Sequence, residues 1–218
     1  MKRDLISTAT GLLALTLLLG ILFPLAITGV SQLAFPGNAN GQQIVRGGQL
    51  VGSKIIGQSF QQPVVRNGKV QLDKNGNPVT VPDTRYFQTR PSGTVPADNA
   101  AGSSFANYGP NSVVTEQALA ANVKSYLALE RPYDPRLTVA VLPVDAIDTS
   151  ASGIDPDISP ANATIQAHRI AAVRHLSLAR VHTLINAATH GRGLGFSGES
   201  GVNVLELNLA LDRLSGGR

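Results

Sequence analysis

Between Asp4 and Arg46 the chain carries no charged residue, and residues 5–30 within that gap are mostly leucine, isoleucine, alanine, glycine and threonine. As a helix these residues would extend about 39 Å, longer than the ~30 Å hydrocarbon core of a bilayer. A cleaved signal peptide shares the charged start, but its apolar core is shorter and ends at a small-x-small site that is not evident here. A retained membrane anchor is therefore expected. Lys2, Arg3 and the amino terminus flank one end, and the other flank has no positive residue before Arg46. The positive-inside bias keeps residues 1–4 in the cytoplasm and exports everything after residue 30. Ser7, Gly11 and Ala14 share one helix face, and Thr16 and Gly20 lie roughly opposite. Small residues four apart let helices approach closely in lipid, so Ser7, Gly11, Thr16 and Gly20 are candidate packing positions. Pro24 is expected to kink the outer end.

The 218 residues leave room for one ordinary domain beyond the anchor. A formal net charge of +4, with no basic stripe interleaved with aromatics, argues against nucleic acid. The absence of cysteine excludes disulfides and thiolate metal sites. Residues 31–43 form a polar, glycine- and asparagine-rich linker, and an extracytoplasmic domain is expected over 44–218. A short strand is expected near 54–56. Residues 61–83 form an inserted surface hairpin turning at Asp73–Asn77, whose Asn75-Gly76 pair is a hairpin signal. Residues 92–112 should be a loop broken at Gly109-Pro110. A helix is expected over 113–130, capped by Asn111 or Ser112 and stopped before Pro132. Residues 137–144 are a predicted strand. A long helix begins at Ser159-Pro160 and runs to His190, with Ile170, Val173, Val181, Leu184 and Ala188 as its apolar stripe. Residues 202–212 alternate leucine with other residues and predict a half-buried strand. The fold class is α+β: one N-terminal transmembrane helix followed by a single mixed extracytoplasmic domain.

Catalytic signatures are weak. His168, His175 and His182 recur every seven residues, two turns or about 10.5 Å apart on one helix, too far to share a metal as i, i+4 ligands do. Asp145, Asp148, Asp155 and Asp157 match no calcium loop and read better as turn and capping residues. Ser197 lacks the G-x-S-x-G spacing. Leu214-Ser215-Gly216-Gly217 resembles the signature loop of ABC transporter ATPases, but four common residues at a chain end are attributed to chance. Asn162-Ala163-Thr164 has the form of a glycosylation sequon, though its place at a helix start favours capping. No catalytic, metal or cofactor-binding residue emerges, which favours a binding role.

Particular strings add a resemblance. GSKIIGQSF (52–60), YFQTRPS (86–92), PVDAIDTSASGIDPDIS (143–159), QAHR (166–169) and GESGVNVLELNLALD (198–212) follow the N-terminal helix in order. As a set, the chain resembles the C subunit of the Kdp-type high-affinity potassium-transporting ATPase of bacteria and archaea. It departs from that pattern at 106–112, at Asp157 and at Ser200-Gly201. Gln58, Arg90, Asp155, Pro156, Gln166, Arg169 and Asn203 match it and are the candidates for fold-critical loops or a subunit interface. The resemblance implies an accessory subunit in a bacterial inner membrane, beside a channel-like potassium-binding subunit and an ATP-hydrolysing P-type subunit. It further implies a catalytic chaperone that raises the pump subunit's affinity for ATP, with ATP met through a ternary complex. An exported domain cannot reach cytoplasmic ATP, so the coupling would have to pass through the helix, or direct nucleotide contact is misassigned. An anchored extracytoplasmic hydrolase using the aspartates, or a ligand-binding module, are the alternatives.

Overall fold

The computed structural model describes residues 1–94, 96–102, 108–109 and 111–214. It divides into two units, Met1–Ser53 and Lys54–Arg218.

The first unit is dominated by one apolar rod. Helix α1 (Lys2–Leu17) passes through a π turn at Leu18–Leu22 into α2 (Phe23–Ala34). Together they make a continuous helical run, Lys2–Ala34, long and apolar enough to cross a membrane and with none of its most apolar stretch buried. The helix is longer at both ends than the expected 5–30. Pro24 does not end it: the backbone widens just before the proline, a common response to a missing helix donor. The expected linker over 31–43 is largely ordered. After Ala34 comes a single turn, α3 (Pro36–Ala39), fastened by Asn40, whose Nδ2 donates to the Pro36 carbonyl at 2.7 Å. Strands β1 (Gln43–Arg46) and β2 (Gln49–Ser53) then form an antiparallel hairpin through Gly47-Gly48, both at positive φ. Ser53 Oγ donates to the Gly41 carbonyl at 2.6 Å, which closes the unit. The boundary thus falls after Ser53 rather than before residue 44. The strand expected near 54–56 is β2, and residues 54–56 turn instead.

The second unit opens with the hairpin insertion. Strands β3 (Gln61–Pro63) and β6 (Thr80–Pro82) pair antiparallel at its base. Between them β4 (Val65–Arg66) and β5 (Lys69–Val70) pair across Asn67-Gly68, both at positive φ, as a two-residue hairpin turn requires. Asp73 Oδ1 accepts the amides of Asn75 and Asn77 in a second turn. The insertion therefore holds two successive turns, both enclosed by β3 and β6, not one.

Helix α4 (Val113–Glu130) is capped by Ser112 Oγ, which accepts the Thr115 amide. Residues 139–141 and 144–146 are single 3-10 turns rather than the expected strand, and Val139, Val141 and Val144 stand exposed. β7 (Asp157–Ile158) leads into α5 (Pro160–Arg174), capped by Ser159 with Pro160 at the first position. The expected long helix is two helices. His175, at φ 55°, ends α5 in the left-handed conformation, and Ser177 caps α6 (Leu178–Ala188). β8 (Thr189–His190) and β9 (Gly201–Asn203) follow, and β9 is the centre of a three-stranded antiparallel sheet, β7-β9-β8. The expected terminal strand is instead α7 (Val204–Leu214), started by Asn203 Oδ1 accepting the Glu206 amide. Phe87, Ile158, Ala163, Ala167, Ile170, Val181, Val202, Val204, Leu207 and Leu211 make the core where α5, α6 and α7 cover this sheet.

Candidate functional site: a buried arginine hub and its groove

Residues 84–92 cross the core of the second unit without joining any sheet, so their backbone polar groups need other partners. Carboxamides supply them. Asn208 on α7 accepts the Phe87 amide at 2.9 Å and donates to the Phe87 carbonyl at 3.0 Å. Gln166 on α5 does the same for Gln88, at 2.8 and 3.1 Å. Two side chains thus imitate the rungs of a β ladder on successive residues. Phe87, held between them, is fully buried.

Arg169 sits one turn after Gln166 and is also fully buried. Its Nε donates to Glu130 Oε1 at 2.9 Å, Nη1 to the carbonyls of Thr84 and Tyr86, and Nη2 to Gln166 Oε1. Burial pushes the Glu130 carboxyl up, and the guanidinium bonded to it opposes that shift. The second Glu130 oxygen has no hydrogen-bond partner. Asn162 continues the network, accepting from Tyr126 and Gln166 and donating to Asp145. Desolvation pushes the Tyr126 phenol upward. Asn162 is almost fully buried with its amide engaged, so the sequon-like Asn162-Ala163-Thr164 presents no free acceptor nitrogen in this fold.

Beside the hub lies a groove of about 190 Å³, lined by Phe60, Gln88, Arg90, Asp98, Asn122 and Tyr126 among others. Burial pushes the Asp98 carboxyl up, against hydrogen bonds from Thr89 and Ser92. Arg90 donates to the Thr149 carbonyl at 3.0 Å and the Asp148 carbonyl at 3.3 Å, and reaches Asp155 at 3.5 Å. It therefore ties residues 148–155 to the YFQTRPS stretch.

The remaining sequence candidates occupy neighbouring joints. The Pro156 carbonyl accepts the Val204 amide, and Asn203 Nδ2 bridges the Lys54 carbonyl and Asp157. Gln58 is half-buried, with its Oε1 buried and unpartnered. In the other unit, Ser7, Gly11, Thr16 and Gly20 are exposed along the apolar helix. Sequence reasoning missed Asn208, Glu130 and Gln88, polar residues whose burial follows from partners distant in the chain. Within the described residues no group of three or more His, Cys, Asp or Glu is placed to hold a metal. The expected histidine stripe does not form, because His175 lies between helices rather than on one. Residues 106, 107 and 110, within the departure noted at 106–112, and residues 215–217 of the LSGG string lie outside the described residues.

The same chain carries a helix long and apolar enough to cross a membrane and a small α+β unit built around the buried Arg169, the make-up of a candidate single-span membrane protein. The family model described as "KdpC: K+-transporting ATPase, c chain" matches residues 5–213. Curated relatives named "Potassium-transporting ATPase KdpC subunit" agree with it. One from Mycobacterium tuberculosis is 42% identical over 98% of this chain and all of its own length. Another from Methylococcus capsulatus is 45% identical over 93% of this chain and 94% of its own, and one from Streptomyces avermitilis is 39% identical over 93% and 90%. The chain belongs to the KdpC family.

Proposed function

We propose that this chain is a non-catalytic accessory subunit of an ATP-driven potassium uptake complex. Residues Lys2–Ala34 hold it in the cell membrane, with the N-terminus in the cytoplasm and the α+β unit outside. The observation that carries the reading is the state of the polar side chains. Arg169, Glu130, Gln166, Asn162, Asp145 and Asn208 are bonded to one another or to backbone. Such buried, mutually bonded groups hold the fold together rather than turn over a substrate. The groove, at about 190 Å³, is below the ~300 Å³ at which small-molecule pockets begin. The names borne by the relatives supply the complex: a potassium-transporting ATPase.

In this reading the subunit stabilises the assembly beside a channel-like potassium-binding subunit and a P-type subunit that hydrolyses ATP. It also acts as a catalytic chaperone, raising the pump subunit's apparent affinity for ATP. With the α+β unit outside, the effect passes through the helix as a coupling free energy between two states of the pump. The test is potassium-stimulated ATP hydrolysis by the complex with and without this chain. The KM for ATP should rise when the chain is removed. An unchanged KM, or hydrolysis by the chain alone, would contradict the proposal.

A further inference from the structure

The loop that joins β8 to β9, residues 191–200, closes on a tight turn. The Gly193 amide donates to the Ser197 carbonyl at 2.7 Å, and the Ser197 amide returns the bond at 2.8 Å. Inside that pair the Gly195 and Phe196 amides donate to the Arg192 and Gly193 carbonyls. At the base Arg192 and Glu199 form an ion pair at 3.0 Å. The turn holds two large apolar side chains out of the fold: Leu194 is 90% exposed and Phe196 77%. Leu194 also sits at φ 54°, a left-handed conformation that a bulky residue seldom adopts. A leucine kept both strained and exposed contributes nothing to the core, so its use lies outside the fold.

The chemistry of the tip selects what meets it. Residues 193–198 carry no charge, and charges begin on both sides, at Arg192 and Glu199. Such a cap can enter an apolar phase as far as its last neutral residue and no further. Four of its amides are already bonded within the loop, which is what lipid demands of a backbone. Two side chains fall far short of the ~800 Å² a side that a stable protein interface takes. Phenylalanine and leucine do, however, seat shallowly at a lipid interface. A bilayer is at hand, because the same chain carries a helix long and apolar enough to cross one.

We propose that Leu194 and Phe196 dip into the bilayer that the chain's own helix crosses, giving the α+β unit a second, shallow hold on lipid. Arg192 and Glu199 stay in the headgroup layer and set the depth. This rests on the membrane anchoring read above and adds to it a lipid-binding site in the other unit.

The chain contains no tryptophan, so Phe196→Trp places a sole fluorescent reporter at the tip. The full chain carrying it is reconstituted in vesicles of phosphatidylcholine and phosphatidylglycerol, with and without bromine on the acyl chains. A second sample carries Leu12→Trp in the apolar helix. Both reporters should emit to the blue of a water-exposed tryptophan and lose intensity with brominated lipid. Phe196→Trp should be quenched best by the shallowest bromine and Leu12→Trp by deeper ones. Adding Leu194→Asp to Phe196→Trp should return the emission to that of exposed tryptophan and abolish the quenching. Aspartate tolerates the left-handed conformation, so the turn survives the change. Circular dichroism should be the same in every variant. A Phe196→Trp reporter that stays red and unquenched while Leu12→Trp is quenched overturns the lipid contact and leaves the anchor standing. If Leu12→Trp is itself unquenched, the anchoring fails and the proposal with it. An unquenched tip whose Leu194→Asp variant loosens the purified transporter assigns the two side chains to a protein partner, which also overturns the proposal.

Discussion

Arg169 is a cation with no access to water, tolerated because carboxylate, carboxamide and two carbonyl acceptors surround it. Removing it would strand Glu130 as an uncompensated buried charge beside three freed acceptors. Arg169→Met should therefore destabilise the chain by about 3–5 kcal/mol, read by chemical denaturation of the full chain in micelles. Arg169→Lys should recover only part of that, because one ammonium cannot reproduce the planar fork. Asp83 is a simpler case. Its carboxylate accepts the Arg85 amide and guanidinium, and the side-chain bond to Arg85 holds its pKa below the usual aspartate value. A depressed folded value means stability that is fully present above the unfolded pKa and lost as pH falls through the folded one. Asp83→Asn should thus lower the denaturation midpoint at neutral pH, with the gap to wild type closing in strong acid. A gap that persisted in acid would assign the effect to packing instead.

The elements depend on tight joints between loops as much as on their own propensities. Gly57 donates its amide to the Ile154 carbonyl at 2.7 Å, and a Cβ there would stand 2.7 Å from the Asp155 carbonyl oxygen. Gly57→Ala should cost about 1–3 kcal/mol through forced backbone movement, visible as a lowered melting temperature. Ser159→Ala, which removes the cap of α5, should cost about 1 kcal/mol by the same measurement. These caps are also why α4 and the start of α5 were legible in the sequence: Ser112 and Ser159-Pro160 carry their signals locally. The apolar helix was legible because so long an uncharged run has few other uses. Helix α7 was not. Its buried positions Val204, Leu207, Asn208 and Leu211 follow helical spacing, but Asn208 is polar, and its burial depends on Phe87, 121 residues away. With that residue discounted, the remaining leucines alternate and mimic a strand. The break at His175 was hidden for a similar reason, since a histidine holds the left-handed cap where a glycine would have announced it. Residues 137–144 have strand-like composition, yet among the described residues they pair with no strand, and Pro143 lacks a donor.

At the scale of the molecule, each unit presents a different kind of surface. The helix presents exposed apolar side chains along its length. The α+β unit buries Arg169, Glu130, Asn162, Gln166 and Asn208 and leaves Val139, Val141 and Val144 outside. The family model that matches is that of the c chain of a K+-transporting ATPase, and curated relatives bear the name of a subunit of a potassium-transporting ATPase. The charge at the amino terminus adds a directional expectation. An alkaline phosphatase reporter fused after residue 218 should be active, as befits an exported terminus, and an inactive one would reverse the orientation and bring the α+β unit within reach of cytoplasmic ATP. The central claim is that this chain works only within a larger machine, and its most direct test is native mass spectrometry after mild-detergent extraction from potassium-limited cells. One complex containing this chain, a P-type ATPase subunit and a channel-like potassium-binding subunit is expected. Recovery of the chain as a lone monomer, with neither subunit attached, would contradict it.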